Sequence, residues 1–183
     1  MKNGLIKGYY PDGTLKWEAN YVNGKKNGEY REYCDDGDIA FLENYKNDKQ
    51  HGLKQVFNCG EVEREVNYVN GKKNGEEIEY NLRLCQIQSL IHWKDGKKDG
   101  VEQIYNINKY FEFYDNGQDQ EVEFLYLKYE KIWENDKLIE IKEYDKDGTL
   151  MNKDNENNRN QEFKSKFGSF CNSEKSKEEN RER

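Results

Sequence analysis

An all-β chain is predicted: an elongated antiparallel β-meander of consecutive β-hairpin repeats in a single twisted sheet, followed by a flexible C-terminal tail. Three observations point there. The string YVNGKKNGE occurs at 21–29 and again at 68–76, and a duplication of that length marks an internal repeat. Gly28, Gly52, Gly75 and Gly100 recur at intervals of 24, 23 and 25 residues. Between them, side chains follow a period of two, as where Leu15, Trp17, Ala19 and Tyr21 alternate with Lys16, Glu18, Asn20 and Val22. That period belongs to strands with one largely apolar face.

The unit is about 24 residues long. Five residues after each repeat glycine stands an aromatic, Tyr33, Phe57, Tyr80 or Tyr105, and seven before it another, Tyr21, Tyr45, Tyr68 or Trp93. Gly4 and Tyr9 begin one further copy. The strands are joined by NGKKNG, KNDKQHG, NGKKNG and KDGKKDG; Asn-Gly and Asp-Gly supply the positive φ of a primed hairpin turn. PDGT and DDGD read as the turns at the other ends. Glycine density and period both exclude a helical repeat.

Residues 1–100 thus hold four regular hairpin units. Over 101–150 the pattern erodes. YDNG at 114–117 and WEND at 133–136 echo the turn, and YDKDGTL at 144–150 matches the early YPDGTL with one residue more. The expectation is two degenerate units that cap the ribbon, as terminal repeats often do. Residues 151–183 are polar, mixed in charge and aperiodic, which predicts a disordered tail. Phe163, Phe167 and Phe170 have the near-helical spacing of a short docking helix.

Mean hydropathy is −1.31, while aromatics make up 14% of the chain. A thin core of Tyr, Phe and Trp on one sheet face is expected. No apolar stretch is long enough to span a bilayer, and the glycine-broken start MKNGLIKGYYPDG carries no secretory h-region. The expected location is the cytoplasm, of a bacterial cell or of a host cell if the chain is phage-derived. Cys34, Cys59, Cys85 and Cys171 include no CxxC pair. They read as free thiols in a reducing compartment.

Net charge is −7, unevenly spread. Residues 1–100 carry 16 basic and 17 acidic side chains, residues 101–150 carry 6 and 13, and the tail 8 and 7. The acidic stretch is also aromatic, in runs such as YFEFYD and EFLYLKYE, and alternation cannot hide all those rings on one face. A docking surface for a basic protein is expected there, rings anchoring and carboxylates steering. Its candidate residues are Tyr110, Phe111, Phe113, Tyr114, Asp115, Asp119, Glu121, Glu123, Tyr126, Trp133, Glu134 and Asp136. The bland alternative is that the rings cap the ribbon and the acids keep it soluble.

Basic residues are periodic instead. Lys25, Lys26, Lys49, Lys72, Lys73, Lys97 and Lys98 fall in equivalent turns and should line one rim, about 10 Å apart from unit to unit. Asp12, Asp35, Asp36, Asp38 and Glu61 fall in turns at the opposite edge. A lysine rim can meet phosphates or anionic lipid, or simply stay solvated and block edge pairing. Catalytic chemistry is absent from the sequence: there is no GxSxG, HExxH or Walker sequence, and Ser89 is the only serine before the tail. His51 and His92 keep no metal-ligand spacing. No cofactor, metal or enzymatic activity is expected.

The segments YPDGTLKWEANYVNGKKNG, YCDDGDIAFLENYKNDKQHG and FNCGEVEREVNYVNGKKNG resemble the MORN-repeat variant found in bacterial proteins, closely over 1–100 and loosely over 101–150. Such chains look like the YwqK-type group, labelled antitoxins of toxin–antitoxin systems. The resemblance implies a non-catalytic protein that binds and neutralises a harmful one. The expected partner is a basic nucleic-acid-acting effector, a toxin nuclease or a CRISPR effector; an anti-CRISPR is one form of this. Direct nucleic-acid binding and membrane association are not expected. The alternative is a scaffold or anionic-lipid surface module that uses the lysine-rich turns.

Overall fold

The computed structural model describes residues 1–112 and 120–151. Among these residues twelve strands form one antiparallel sheet: β1 (Gly4–Tyr9), β2 (Leu15–Val22), β3 (Lys25–Tyr33), β4 (Ile39–Lys46), β5 (Lys49–Gln50), β6 (Gly52–Asn58), β7 (Glu61–Val69), β8 (Lys72–Asn81), β9 (Gln86–Lys94), β10 (Lys97–Glu112), β11 (Gln120–Glu134) and β12 (Lys137–Glu143). Neighbours in the sheet follow chain order, with the short β5 beside β4. The architecture is the expected open meander of consecutive hairpins. No helix among the described residues is long and apolar enough to cross a membrane.

Local chemistry sets the turns. Asn23 and Gly24, Asn47 and Asp48, Asn70 and Gly71, Asp95 and Gly96, and Asn135 and Asp136 each form a pair with positive φ, the signature of a type I′ hairpin whose twist matches its strands. These turns stack. The second residue of each donates its N–H to a carbonyl of the unit before: Gly24 to Lys2, Asp48 to Lys26, Gly71 to Gln50, Gly96 to Lys73 and Asp136 to Lys98, at 2.8–2.9 Å. Where Asp replaces Gly it adds a bond, because the carboxylates of Asp48 and Asp136 accept the N–H of Lys26 and Lys98 at 2.7 Å. WEND is therefore a turn with an extra tie to its neighbour.

The repeat glycines sit at bulges. Gly28, Gly52, Gly75 and Gly100 have φ of 99–112°, and a Cβ on them would lie 3.1–3.6 Å from the Cβ of Asn20, Asn44, Asn67 and His92. Asn44 and Asn67 then donate to the carbonyls of Leu53 and Glu76. His92 Nδ1 lies 2.8 Å from the Val101 carbonyl. A carbonyl only accepts, so Nδ1 carries the proton. His92 stands in for the repeat's asparagine.

Very little is buried. Among the described residues the buried apolar side chains are Ala19 and Val66, and the others are Glu43, Glu77 and Glu102. All five lie in one row across the sheet. Ile6, Ala19, Tyr30 and Glu43 pair in turn over β1–β4. Lys54, Val66, Glu77, Ile91, Glu102, Lys131 and Ile141 continue over β6–β12. An ion pair of 2.7 Å between Lys54 and Glu43 joins the halves. Flanking rings cover the row, with Trp17 stacked on Tyr30 and Tyr30 edge-on to Tyr45. The expected aromatic layer is thus built around buried carboxylates.

A buried carboxylate needs compensation. Glu43 accepts from Tyr45 and Gln50 and pairs with Lys54. Glu77 is paired with Lys73, and Glu102 takes Lys98 Nζ at 2.8 Å and Trp133 Nε1 at 2.7 Å. Burial pushes the Glu43 and Glu102 carboxyls up. The hydrogen bonds and nearby lysines outweigh it and leave both below the usual carboxylate value.

Candidate functional site

The stacked turns locate what is added to the repeat. From the accepting carbonyl to the donating N–H, four intervals are 22, 22, 21 and 23 residues, but Lys98 to Asp136 is 38. That unit carries about sixteen extra residues, eight on each arm of one hairpin. β10 and β11 are accordingly 16 and 15 residues long. Pairing of β10 with β9 ends at Ile104–Ser89, and pairing of β11 with β12 begins at Tyr129–Glu143. Beyond those points, 105–112 pairs with 120–127 alone. This two-stranded arm projects about 26 Å at ~3.3 Å per residue, from a bulge between Ile104 and Tyr105.

The sequence reads 101–150 as two degenerate units that cap the ribbon. The described strands there are this long hairpin and then β12. Nothing between Val101 and Glu112 breaks a strand, as the run holds neither Gly nor Pro. The YDNG echo lies in 113–119, outside the described residues.

Alternation gives the arm two dissimilar faces. Tyr110, Val122, Phe124 and Tyr126 share one, with Tyr110 edge-on to Phe124 at 5.8 Å. Lys109, Phe111, Glu121 and Glu123 share the other. Tyr110 is 45% exposed and Phe111 58%. Lys109 pairs with Glu121 at 2.6 Å and Glu123 at 3.0 Å, and Arg83 reaches Glu123 at 2.6 Å. The Lys109 hydrogen bond holds the Glu123 carboxyl below its usual range. By sequence, 105–128 still carries five acidic against two basic side chains.

The twelve expected partner-binding residues do not form one patch. Tyr110, Phe111, Glu121, Glu123 and Tyr126 lie on the arm. Trp133, Glu134 and Asp136 lie at the other end of β11, about 40 Å from Glu121 along the strand. Trp133 is committed to Glu102 and lies under Lys98, and Asp136 caps the turn. Phe113, Tyr114, Asp115 and Asp119 lie outside the described residues.

Nor is the lysine rim as expected. The second lysine of each pair turns onto the aromatic face: Lys26 over Tyr30 and Tyr45, Lys73 over Trp93 and onto Glu77, Lys98 over Trp133 and onto Glu102. Lys25, Lys49, Lys72 and Lys97 remain exposed on the other face. Cross-strand neighbours add Lys46 and Lys94, and Lys137, paired with Glu134 across the hairpin, holds the equivalent place in the last turn; none of the three was among the expected rim residues. Cys34, Cys59 and Cys85 are free and exposed, and Cys171 lies outside the described residues. Among the described residues no group of His, Cys, Asp and Glu is arranged to hold a metal ion.

No protein-family model matches this chain, and no curated protein matches it.

Proposed function

We propose that this chain is a non-catalytic binding protein that grips a basic protein partner with the β10–β11 arm, as a stoichiometric inhibitor or antitoxin of a nucleic-acid-acting effector. An anti-CRISPR protein is one form of this. One observation carries the reading: a regular repeat is interrupted once, by an acidic and aromatic hairpin extension that leaves the sheet. A two-stranded ribbon is marginal in water, and its exposed rings suit the centre of an interface. Charge reversal at Asp115, Asp119 and Glu121 tests it. Capture of a basic protein from the native lysate should be lost, and unchanged capture would sink the proposal.

A second reading has its own support. Lys25, Lys46, Lys49, Lys72, Lys94, Lys97 and Lys137 are exposed and have no ion-pair partner among the described residues, which favours an anionic-surface scaffold. Sedimentation with phosphatidylserine vesicles, reduced by salt and by Lys49→Glu with Lys97→Glu, would support it. No sedimentation at low salt removes it.

A further inference from the structure

We infer that the lysines of the first four stacked turns, Lys25, Lys46, Lys49, Lys72, Lys94 and Lys97, form a docking line for a flexible, linear polyphosphate chain. The inference goes beyond the arm, and it gives the exposed lysines an occupant other than a flat membrane. Among the described residues, every lysine and arginine away from this face touches a carboxylate or a ring. These six and Lys137 touch neither. Basic side chains scattered for solubility would not sort in this way.

The turns hold these side chains in a line. Each turn donates to a carbonyl of the unit before it, which repeats one lysine position per unit at roughly 10 Å. Lys46 and Lys49, and Lys94 and Lys97, close their hairpins as pairs. The stems of two of them lie along the line. Lys72 covers Gly96 of the next turn, its stem carbons 3.7–3.9 Å from where a Cβ would stand, and Lys49 covers Gly71 at 3.9 Å. Such a stem packs while its ammonium stays in water. Residues 22–25, 46–49, 69–72 and 94–97 hold these six lysines against Asp48 and Asp95, and an Asp48 oxygen already accepts the Lys26 N–H. In the fifth turn Glu134 and Asp136 outnumber Lys137. The line therefore ends at Lys97, six strands from Lys25, or about 29 Å.

Two features choose the occupant. Neighbouring strands rotate by about 20°, so the line turns through more than a right angle between β3 and β10. A bilayer meets part of such a line, whereas a flexible chain follows all of it. The lysine face also offers no ring at the rim. Lys25 and Lys72 stand opposite Val22 and Val69, and Tyr45 and Trp93 lie on the other face under Lys26 and Lys73. The bases of a single-stranded nucleic acid would have nothing to stack on. Contact is with phosphate charge alone, and a bare polyphosphate chain supplies it without bases.

Calorimetric titration of the full chain with medium-chain sodium polyphosphate at low salt tests this, using two triple variants. Lys49→Gln, Lys72→Gln and Lys97→Gln together break the line. Lys2→Gln, Lys16→Gln and Lys146→Gln remove the same charge elsewhere. The native chain and the second variant should bind alike, and the first at least about tenfold more weakly. Its slope of log K against log salt should be shallower by about 2, at ~0.7 per phosphate contact. Equal weakening in both variants would reduce the effect to net charge and overturn the inference. So would no binding at low salt, tighter binding of oligothymidylate at equal phosphate, or displacement of polyphosphate by phosphatidylserine vesicles of equal charge. None of these outcomes bears on capture of a basic protein by the arm.

Discussion

Replacing Glu102 by alanine should unfold the sheet more easily than any substitution on its surface. The side chain is 5% exposed and accepts from Lys98 at 2.8 Å and Trp133 at 2.7 Å, with Lys131 at 3.7 Å. Two hydrogen bonds to a buried charge are worth roughly 1.5–3 kcal/mol each. The lysines recover part of this by turning toward water, since their side chains are 25% and 17% exposed. The Trp133 N–H has no such route and is orphaned, at about 1–3 kcal/mol. The net loss is then about 2–4 kcal/mol, overlapping the low end of the roughly 3–5 kcal/mol for breaking a buried pair. That lowers Tm by roughly 5–15 °C for a sheet of this size. Urea unfolding followed by tryptophan fluorescence reads it as a shifted midpoint at unchanged slope. Glu102→Gln keeps an acceptor for Trp133 and should lose about half as much. A loss under ~0.5 kcal/mol for Glu102→Ala, within the scatter of surface changes, would refute a structural role for the carboxylate row.

The same row sets an acid limit. Glu43 and Glu102 titrate below their unfolded values, so the unfolded chain binds more protons as pH falls below ~4.3. Stability should be fully present above that pH and decline as pH falls through the lower folded values, with a shallower decline in Glu102→Gln; identical urea midpoints at pH 6 and pH 3 would contradict it. His92→Asn should be within about 0.5 kcal/mol of the native chain, because asparagine makes the same bond in other units, whereas His92→Leu should cost about 1–2 kcal/mol by leaving the Val101 carbonyl without its donor. Thermal melts of both variants decide this. Gly100→Ala should cost at least about 1–2 kcal/mol for its positive φ, and more than Gly13→Ala, because a Cβ at Gly100 meets His92 at 3.1 Å while one at Gly13 meets nothing within 4 Å. Equal melting losses would remove the contact from the explanation.

Turn chemistry was the legible part of the sequence. Asn23-Gly24, Asn70-Gly71 and Asp95-Gly96 form the primed hairpins that their sequence announces, so the strands between them followed. The carboxylate row was not legible. In a chain with 37 acidic residues, Glu43, Glu77 and Glu102 look like solvated positions. A bulge at each repeat glycine also shifts strand parity, so counting by twos across Gly75 or Gly100 puts Glu77 and Glu102 on an uncertain face. The same shift concealed that Lys26, Lys73 and Lys98 turn inward while Lys25, Lys72 and Lys97 stay out. For the arm two signals competed: the YDNG echo, which lies outside the described residues, suggested a repeat boundary, and the uninterrupted strand-forming run from Val101 to Glu112 argued for one long strand. Spacing between the stacked turns, which depends on knowing the WEND turn to be equivalent, decides between them.

The arm can be cut back to the repeat's own spacing, at the loss of the repeat aromatic Tyr105. Deleting 105–112 and 120–127 restores an interval of 22 residues between Lys98 and Asp136, the interval of the regular units. The decisive measurement is calorimetric titration of the purified basic partner, captured by the full chain, into the full and shortened chains. The shortened chain should melt as one cooperative unit and show no heat of binding, while the full chain binds one to one and inhibits the partner's nucleic-acid activity. Undiminished binding by a folded, shortened chain would contradict the assignment of the arm as the working surface.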